Sequence, residues 1–225
     1  PEGNRDAVGE HAIGMLLMLM NHLRRADAEV RNGIWRREEN RGDELEGKTV
    51  GLIGFGNMGS AFARRLTGFG VRILVVDPYI TISKEKFPHV EQVDMATLQR
   101  EADVVSLHVP LTDETRNMIN RQWFTALSKP IWLINTARGK NLVTADLTEA
   151  IENGIVRGAA LDVLEYEEIS FKKIDAASLP LPFQYLIKSD RVVLSPHIAG
   201  WTHESNEKIA RFLAQKMIDV LTSRC

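Results

Sequence analysis

Three glycines, Gly54, Gly56 and Gly59, stand in the spacing G-x-G-x-x-G directly after the apolar run Val50 to Ile53, and an acid, Asp77, follows eighteen residues after the last of them. In that spacing each glycine has its own task. Gly54 turns the chain tightly out of a strand, Gly56 lets a ligand approach the backbone, and Gly59 lets the next helix pack close to the sheet. A pyrophosphate suits such a turn, because the free N–H groups and the dipole of a helix N-terminus favour negative charge. Asp77 closes a second apolar run and can accept both hydroxyls of a ribose. A 2′-phosphate there would meet its negative charge, and Pro78, Tyr79 and Ile80 supply no arginine to reverse that. The residues therefore predict NAD as cofactor, in preference to NADP.

Three more polar residues lie at or beyond the ends of apolar runs, where open α/β sheets bind ligands. Arg138, in N-T-A-R-G, offers a planar fork for a carboxylate and can polarise a neighbouring carbonyl. Glu167 lies five residues past Asp162 in L-D-V-L-E-Y-E-E, and His197 sits in L-S-P-H-I-A-G-W-T. Each has a plain alternative: a surface arginine, a solvated acidic loop with Glu165 and Glu168, a histidine that caps a helix or is satisfied in the core.

The elements that must carry these residues follow from the apolar pattern. Short apolar runs at Thr49 to Ile53, Val71 to Val76, Val104 to Leu107, Ile131 to Ile134, Val156 to Leu161 and Val192 to Leu194 read as strands. Helical stretches lie between several of them, at Met58 to Phe69, Met95 to Glu101, Asn120 to Leu127 and Thr144 to Asn153. Continuously apolar strands separated by helices predict an α/β fold, a doubly wound parallel sheet of six strands of the Rossmann kind. Val8 to Ile34 reads as one long helix, apolar on nearly every face from Ala12 to Met20, so it either crosses a large core or is shared with another subunit; a homodimer built through this helix is the expectation. His203 to Leu221 reads as a final helix with one apolar face, and Tyr166 to Ser189 as a long surface excursion. The domain reading is a leading helix over 1–40, a nucleotide-binding domain over 41–200 and a C-terminal helix over 201–225.

Composition narrows the partners. With 28 basic and 30 acidic residues the net charge is −2, which leaves no electrostatic footprint for nucleic acid or an anionic membrane. The apolar run Ala12 to Met20 falls short of the roughly 20 residues that span a bilayer, and acids at Glu2, Asp6 and Glu10 argue against a signal peptide. Cys225 is the single cysteine, so no intrachain disulfide can form, and a reducing cytoplasm is expected. No cluster with metal-ligand spacing is apparent, and no metal is expected.

Taken together, E-H-A-I-G-M-L-L, L-E-G-K-T-V-G-L-I-G-F-G-N-M-G, H-V-P-L-T-D-E-T, N-T-A-R-G, A-L-D-V-L-E-Y-E and S-P-H-I-A-G resemble, in order and over essentially the whole chain, the D-isomer-specific 2-hydroxyacid dehydrogenases. The phosphoglycerate dehydrogenase-like and hydroxypyruvate reductase-like members look most similar. The resemblance implies interconversion of a D-2-hydroxy acid and its 2-oxo acid. It implies that Arg138 binds the substrate carboxylate and 2-oxo group, that His197 is the acid/base, and that Glu167 partners the histidine. It also implies cofactor contacts from Asn57, Met58, Asp77, Pro110, Thr136 and Asp162, with Gly200 beside the nicotinamide. Glu167 speaks against the formate dehydrogenase branch, which has an amide there.

Family members carry most of a flavodoxin-like substrate domain ahead of the first helix, so the chain reads as a fragment containing the cofactor domain. Two other functions compete. A 3-hydroxyacid or imine reductase also tends to carry G-N-M-G, but prefers a basic residue near the position of Asp77 and uses a lysine on a later helix. A dehydrogenase-like NAD sensor of the co-repressor type would bind protein partners without turnover.

Overall fold

The computed structural model describes residues 2–167 and 179–222. Its centre is a single parallel sheet. The strands are β1 (Thr49–Ile53), β2 (Arg72–Val76), β3 (Val90–Gln92), β4 (Val104–Leu107), β5 (Ile131–Asn135), β6 (Val156–Leu161) and β7 (Val192–Leu194). They lie in the order β3-β2-β1-β4-β5-β6-β7, all parallel. The sheet thus has seven strands where the apolar runs predict six. The extra one, V-E-Q, pairs only with β2 at the sheet edge; an edge strand needs no continuous apolar run, and only Val90 of the three is buried.

Helices cover both faces. On one face α1 (Arg5–Met20) and α3 (Asn57–Leu66) pack over β1 and β6, burying Leu16, Met20, Phe62 and Leu66. On the other, α4 (Met95–Glu101), α5 (Arg121–Thr125), α6 (Thr144–Glu152) and α7 (Leu181–Lys188) bury Leu98, Trp123, Ile151 and Phe183. Side-chain caps start two of them. Asp94 accepts from the Thr97 N–H at 2.8 Å and Asn120 from the Trp123 N–H at 3.1 Å.

Three expectations change. The predicted long helix over Val8 to Ile34 is two helices: α1 ends at Met20, His22 is left-handed (φ 53°), and α2 (Leu23–Arg31) follows with no buried residue. The polar pair Asn21-His22 makes the break, the Asn21 amide turning back onto the Leu17 carbonyl at 3.1 Å. The apolar half of α1 is also covered by its own domain: Ala12, Leu16 and Met20 are wholly buried against α3 and the sheet. Finally, the expected excursion over Tyr166 to Ser189 contains α7, whose Pro182 falls in the first turn, where a missing N–H costs nothing. Residues 168–178 lie outside the described residues, and with them Glu168.

The last helix, α8 (His203–Thr222), buries only Ser205; Phe212, Leu213, Met217, Ile218 and Leu221 stay exposed among the described residues. Glu2 and Asp6 hold it through Lys216 (2.9 Å) and Lys208 (3.8 Å).

Candidate cofactor and active site

Strand order reverses between β1 and β4, so the loops leaving their C-terminal ends diverge and open a crevice. The glycine turn lines one wall. Gly54 has φ +93°, and a Cβ there would stand 2.7 Å from the His108 carbonyl oxygen. At Gly59 a Cβ would reach 2.2 Å from the Gly54 oxygen, so glycine is what allows α3 to start so close to β1. Gly56 differs from both: nothing lies within 4 Å of its would-be Cβ. Open space beside the extended cap of α3, with first-turn N–H groups that have no carbonyl inside the helix, is a cradle for an anion.

Asp77 is placed by its own hydrogen bonds. Its carboxylate accepts from the Phe55 N–H at 2.8 Å and the Tyr79 N–H at 2.9 Å, which fixes it against the glycine turn. It lines a cavity of about 790 Å³ with Gly54, Gly56, Tyr79 and Pro110. A second cavity of about 670 Å³ is lined by Met58, Pro110, Thr136, Arg138, Asp162, His197 and Gly200. His108, Val109 and Pro110 border both, so the two form one groove across the sheet edge. Asn57 is exposed at the start of α3 and lines neither.

Around the second cavity the local chemistry is specific. Asn135, buried at the end of β5, shapes the loop that carries Arg138: it accepts from the Ala137 N–H at 3.0 Å and donates to the Arg138 carbonyl at 3.1 Å. Gly139 then passes so near Leu164 that a Cβ would fall 1.9 Å from its carbonyl oxygen. His197 is left-handed (φ 58°), a conformation uncommon for a side-chain-bearing residue outside functional sites. Its Nδ1 lies 3.1 Å from Glu167 Oε2, while Glu167 Oε1 accepts from the Leu164 N–H at 3.0 Å. An ionised carboxylate only accepts, so the Nδ1 carries the proton and Nε2 is left for another partner.

Asp162 is 1% exposed and sits under that loop. It accepts from Ser195 Oγ at 2.5 Å, and from the Ile198 and Ala199 N–H groups at 2.9 Å each. Burial alone would raise its pKa; the hydrogen bonds from His11, Ser195, Ala199 and Ile198 outweigh that and lower it to about 2. His108, by contrast, is pushed down to about 3 by burial, so its ring is neutral beside the groove, with Nε2 2.9 Å from Ser106 Oγ.

These residues fit a dinucleotide. The groove offers an uncovered backbone at Gly56, an acid at the far end in Asp77, and at the near end a buried Thr136 hydroxyl with no hydrogen-bond partner among the described residues. Sequence reasoning did not find Ser195, His11 or Asn4. Asn4 lines the second cavity with its amide against Gly200, and the only signal for His11 was its place in E-H-A-I-G-M-L-L.

Fold and groove define a doubly wound dinucleotide-binding domain with a polar cluster at its switch point. Residues 13–199 match the family model of the D-isomer specific 2-hydroxyacid dehydrogenase NAD binding domain. A glyoxylate reductase of Thermofilum pendens is 40% identical over 222 residues, which are 96% of this chain and 62% of that protein. A hydroxypyruvate reductase of Thermotoga maritima is 37% identical over 98% of this chain and 68% of its own length. Among solved structures, a D-lactate dehydrogenase from Aquifex aeolicus complexed with NAD and lactic acid superposes with a TM-score of 0.86 at 32% identity, covering 98% of this chain and 68% of that one. The chain belongs to the D-isomer specific 2-hydroxyacid dehydrogenase family and spans about two thirds of the length of these relatives.

Proposed function

We propose that the protein is an NAD-dependent oxidoreductase interconverting a D-2-hydroxy acid and its 2-oxo acid, of phosphoglycerate or hydroxypyruvate type, and that this chain is its cofactor domain. One observation carries the reading. His197, oriented by Glu167 at 3.1 Å, and Arg138 border the same cavity, which joins the groove ending at Asp77. NADH, when bound, would supply the hydride for C2 of the 2-oxo acid. Arg138 holds the carboxylate and polarises the carbonyl. As negative charge develops on that oxygen, His197 in its doubly protonated form donates from Nε2 and becomes the neutral ring, which keeps its Nδ1 proton toward Glu167; in the reverse direction Nε2 takes the proton back. Asp77 would hold the ribose hydroxyls, the first turn of α3 the pyrophosphate, and Thr136, Asp162 and Gly200 the nicotinamide end. The test is a panel of 2-oxo acids with NADH and the full-length protein; NADH binding with no turnover of any of them would favour a sensor.

The domain division of 1–40, 41–200 and 201–225 belongs to the same reading, as does a reducing cytoplasm, given the single cysteine. A homodimer is retained, but through a different surface. Since α1 is covered, the surface proposed for a second copy is the apolar patch on and beyond α2, formed by the exposed Leu23, Val30, Ile34 and the 82%-exposed Trp35 and separate from the exposed face of α8. Sedimentation at micromolar concentration checks this, with Trp35→Glu expected to yield monomer.

A further inference from the structure

The first helix sends one polar side chain toward the active-site loop. His11 Nε2 lies 3.0 Å from Ser195 Oγ and 3.5 Å from Asp162 Oδ1. Asp162 Oδ1 in turn receives Ser195 Oγ at 2.5 Å. The direction of this chain of hydrogen bonds follows from proton counting. All the near partners of Asp162 in the loop after β7 are donors, a hydroxyl and two backbone N–H groups, so the carboxylate accepts. A serine hydroxyl has one proton; having given it to Asp162, Ser195 can only accept from His11. His11 Nε2 therefore carries a hydrogen and donates.

The other end of the chain is His197. The carboxylate holds the Ile198 and Ala199 N–H groups, and the Asp162 carbonyl holds the His197 N–H at 2.7 Å, so His197 is clamped on both sides in its left-handed conformation. A carboxylate buried this deeply is costly unless its lone pairs are met, and the Ser195 hydroxyl that meets one of them is held from its other side by His11. We propose that His11 is a positioning residue for the reaction, acting through Ser195 and Asp162 to hold the His197 loop in its productive geometry. It touches neither substrate nor cofactor groove: the second cavity is bordered by Asn4 and Val8 of this part of the chain, not by His11. The inference rests on the reading of His197 as the acid/base.

The experiment pairs His11→Leu, which removes the donor, with His11→Gln, whose amide can place an N–H near the position of Nε2. In this 225-residue chain, hydrogen exchange across 195–200 should be at least roughly tenfold faster in His11→Leu and close to wild type in His11→Gln, with NADH affinity within about twofold in both. In the full-length protein, kcat should fall at least roughly tenfold in His11→Leu with the KM for NADH little changed, and recover in His11→Gln, since a small misplacement of a catalytic group is enough for such a loss. Normal exchange and kcat in His11→Leu, or a His11→Gln as impaired as His11→Leu, would overturn the proposal. If His11→Leu does not fold, Ser195→Ala cuts the same link and carries the same expectations. His197→Ala separates the two readings: if it keeps full turnover, the acid/base reading fails, while exchange at 195–200 still decides whether His11 holds the loop.

Discussion

Asp162→Asn should make the protein less stable at neutral pH, by a margin that narrows in acid without vanishing. The carboxylate is 1% exposed, takes three donors from the loop after β7, and has its pKa lowered from 3.8 to about 2 in the folded chain. A depressed folded value means that the ionised form stabilises the fold. That contribution is fully present above pH 4, where the unfolded chain is also ionised, and is lost as pH falls through the folded value near 2. At about 1.4 kcal/mol per pH unit, the gap is worth about 2 kcal/mol. The asparagine variant keeps one oxygen acceptor but turns an N–H pair toward donors, adding a cost of roughly 1–3 kcal/mol that does not titrate. Urea unfolding of both proteins at pH 7, 4 and 2.5 reads the difference. Wild type should lead by about 3–5 kcal/mol at pH 7, and the lead should shrink by about 2 kcal/mol at the acid end. Other carboxylates titrate in both proteins and cancel. A lead that stays constant down to pH 2.5 would show that Asp162 does not hold its charge as the hydrogen bonds require.

Asp77 beside the glycine turn, with no arginine following, should make NADH bind at least tenfold tighter than NADPH, about 1.4 kcal/mol, and Asp77→Ala should narrow that gap; equal affinities by titration would refute it. In the full-length protein His197→Ala should lower kcat by roughly 10²–10⁴ with NADH affinity nearly unchanged, and Arg138→Ala should harm both kcat and KM; normal turnover in either variant removes that residue from the site. The 225-residue chain by itself should bind NADH yet turn over 2-oxo acids at least roughly a thousandfold more slowly than the full-length protein, since substrate positioning and water exclusion supply about 7–11 kcal/mol of barrier reduction; comparable kcat/KM in the two would place the substrate site elsewhere.

The sheet was readable because its strands are buried on both faces and so appear as unbroken apolar runs, with β1, β4 and β6 bounded where the sequence places them. What escaped was structure whose cause is not periodic. β3 is held by pairing with β2, not by its own composition, and α7 begins in a stretch whose two prolines read as a loop. The break at His22 depends on the φ of one residue in a pattern that is helical on either side. At the site, Gly54, Gly59 and Asp77 were legible because each has a backbone task fixed by spacing. Ser195 and His11 were not, because the two residues are 184 positions apart and only the packing of α1 beside β7 makes them neighbours.

The left-handed backbone of His197 carries a consequence of another kind. Glycine or asparagine adopts that conformation more readily than an imidazole-bearing residue, so the most restful side chain for this position is not the one proposed to move a proton. Selection for thermal endurance alone would let histidine drift away from position 197, whereas selection for the proposed proton transfer would hold it there against the preference of its own backbone. On the proposed function, the discomfort of one peptide unit would be the mark of the proton it serves.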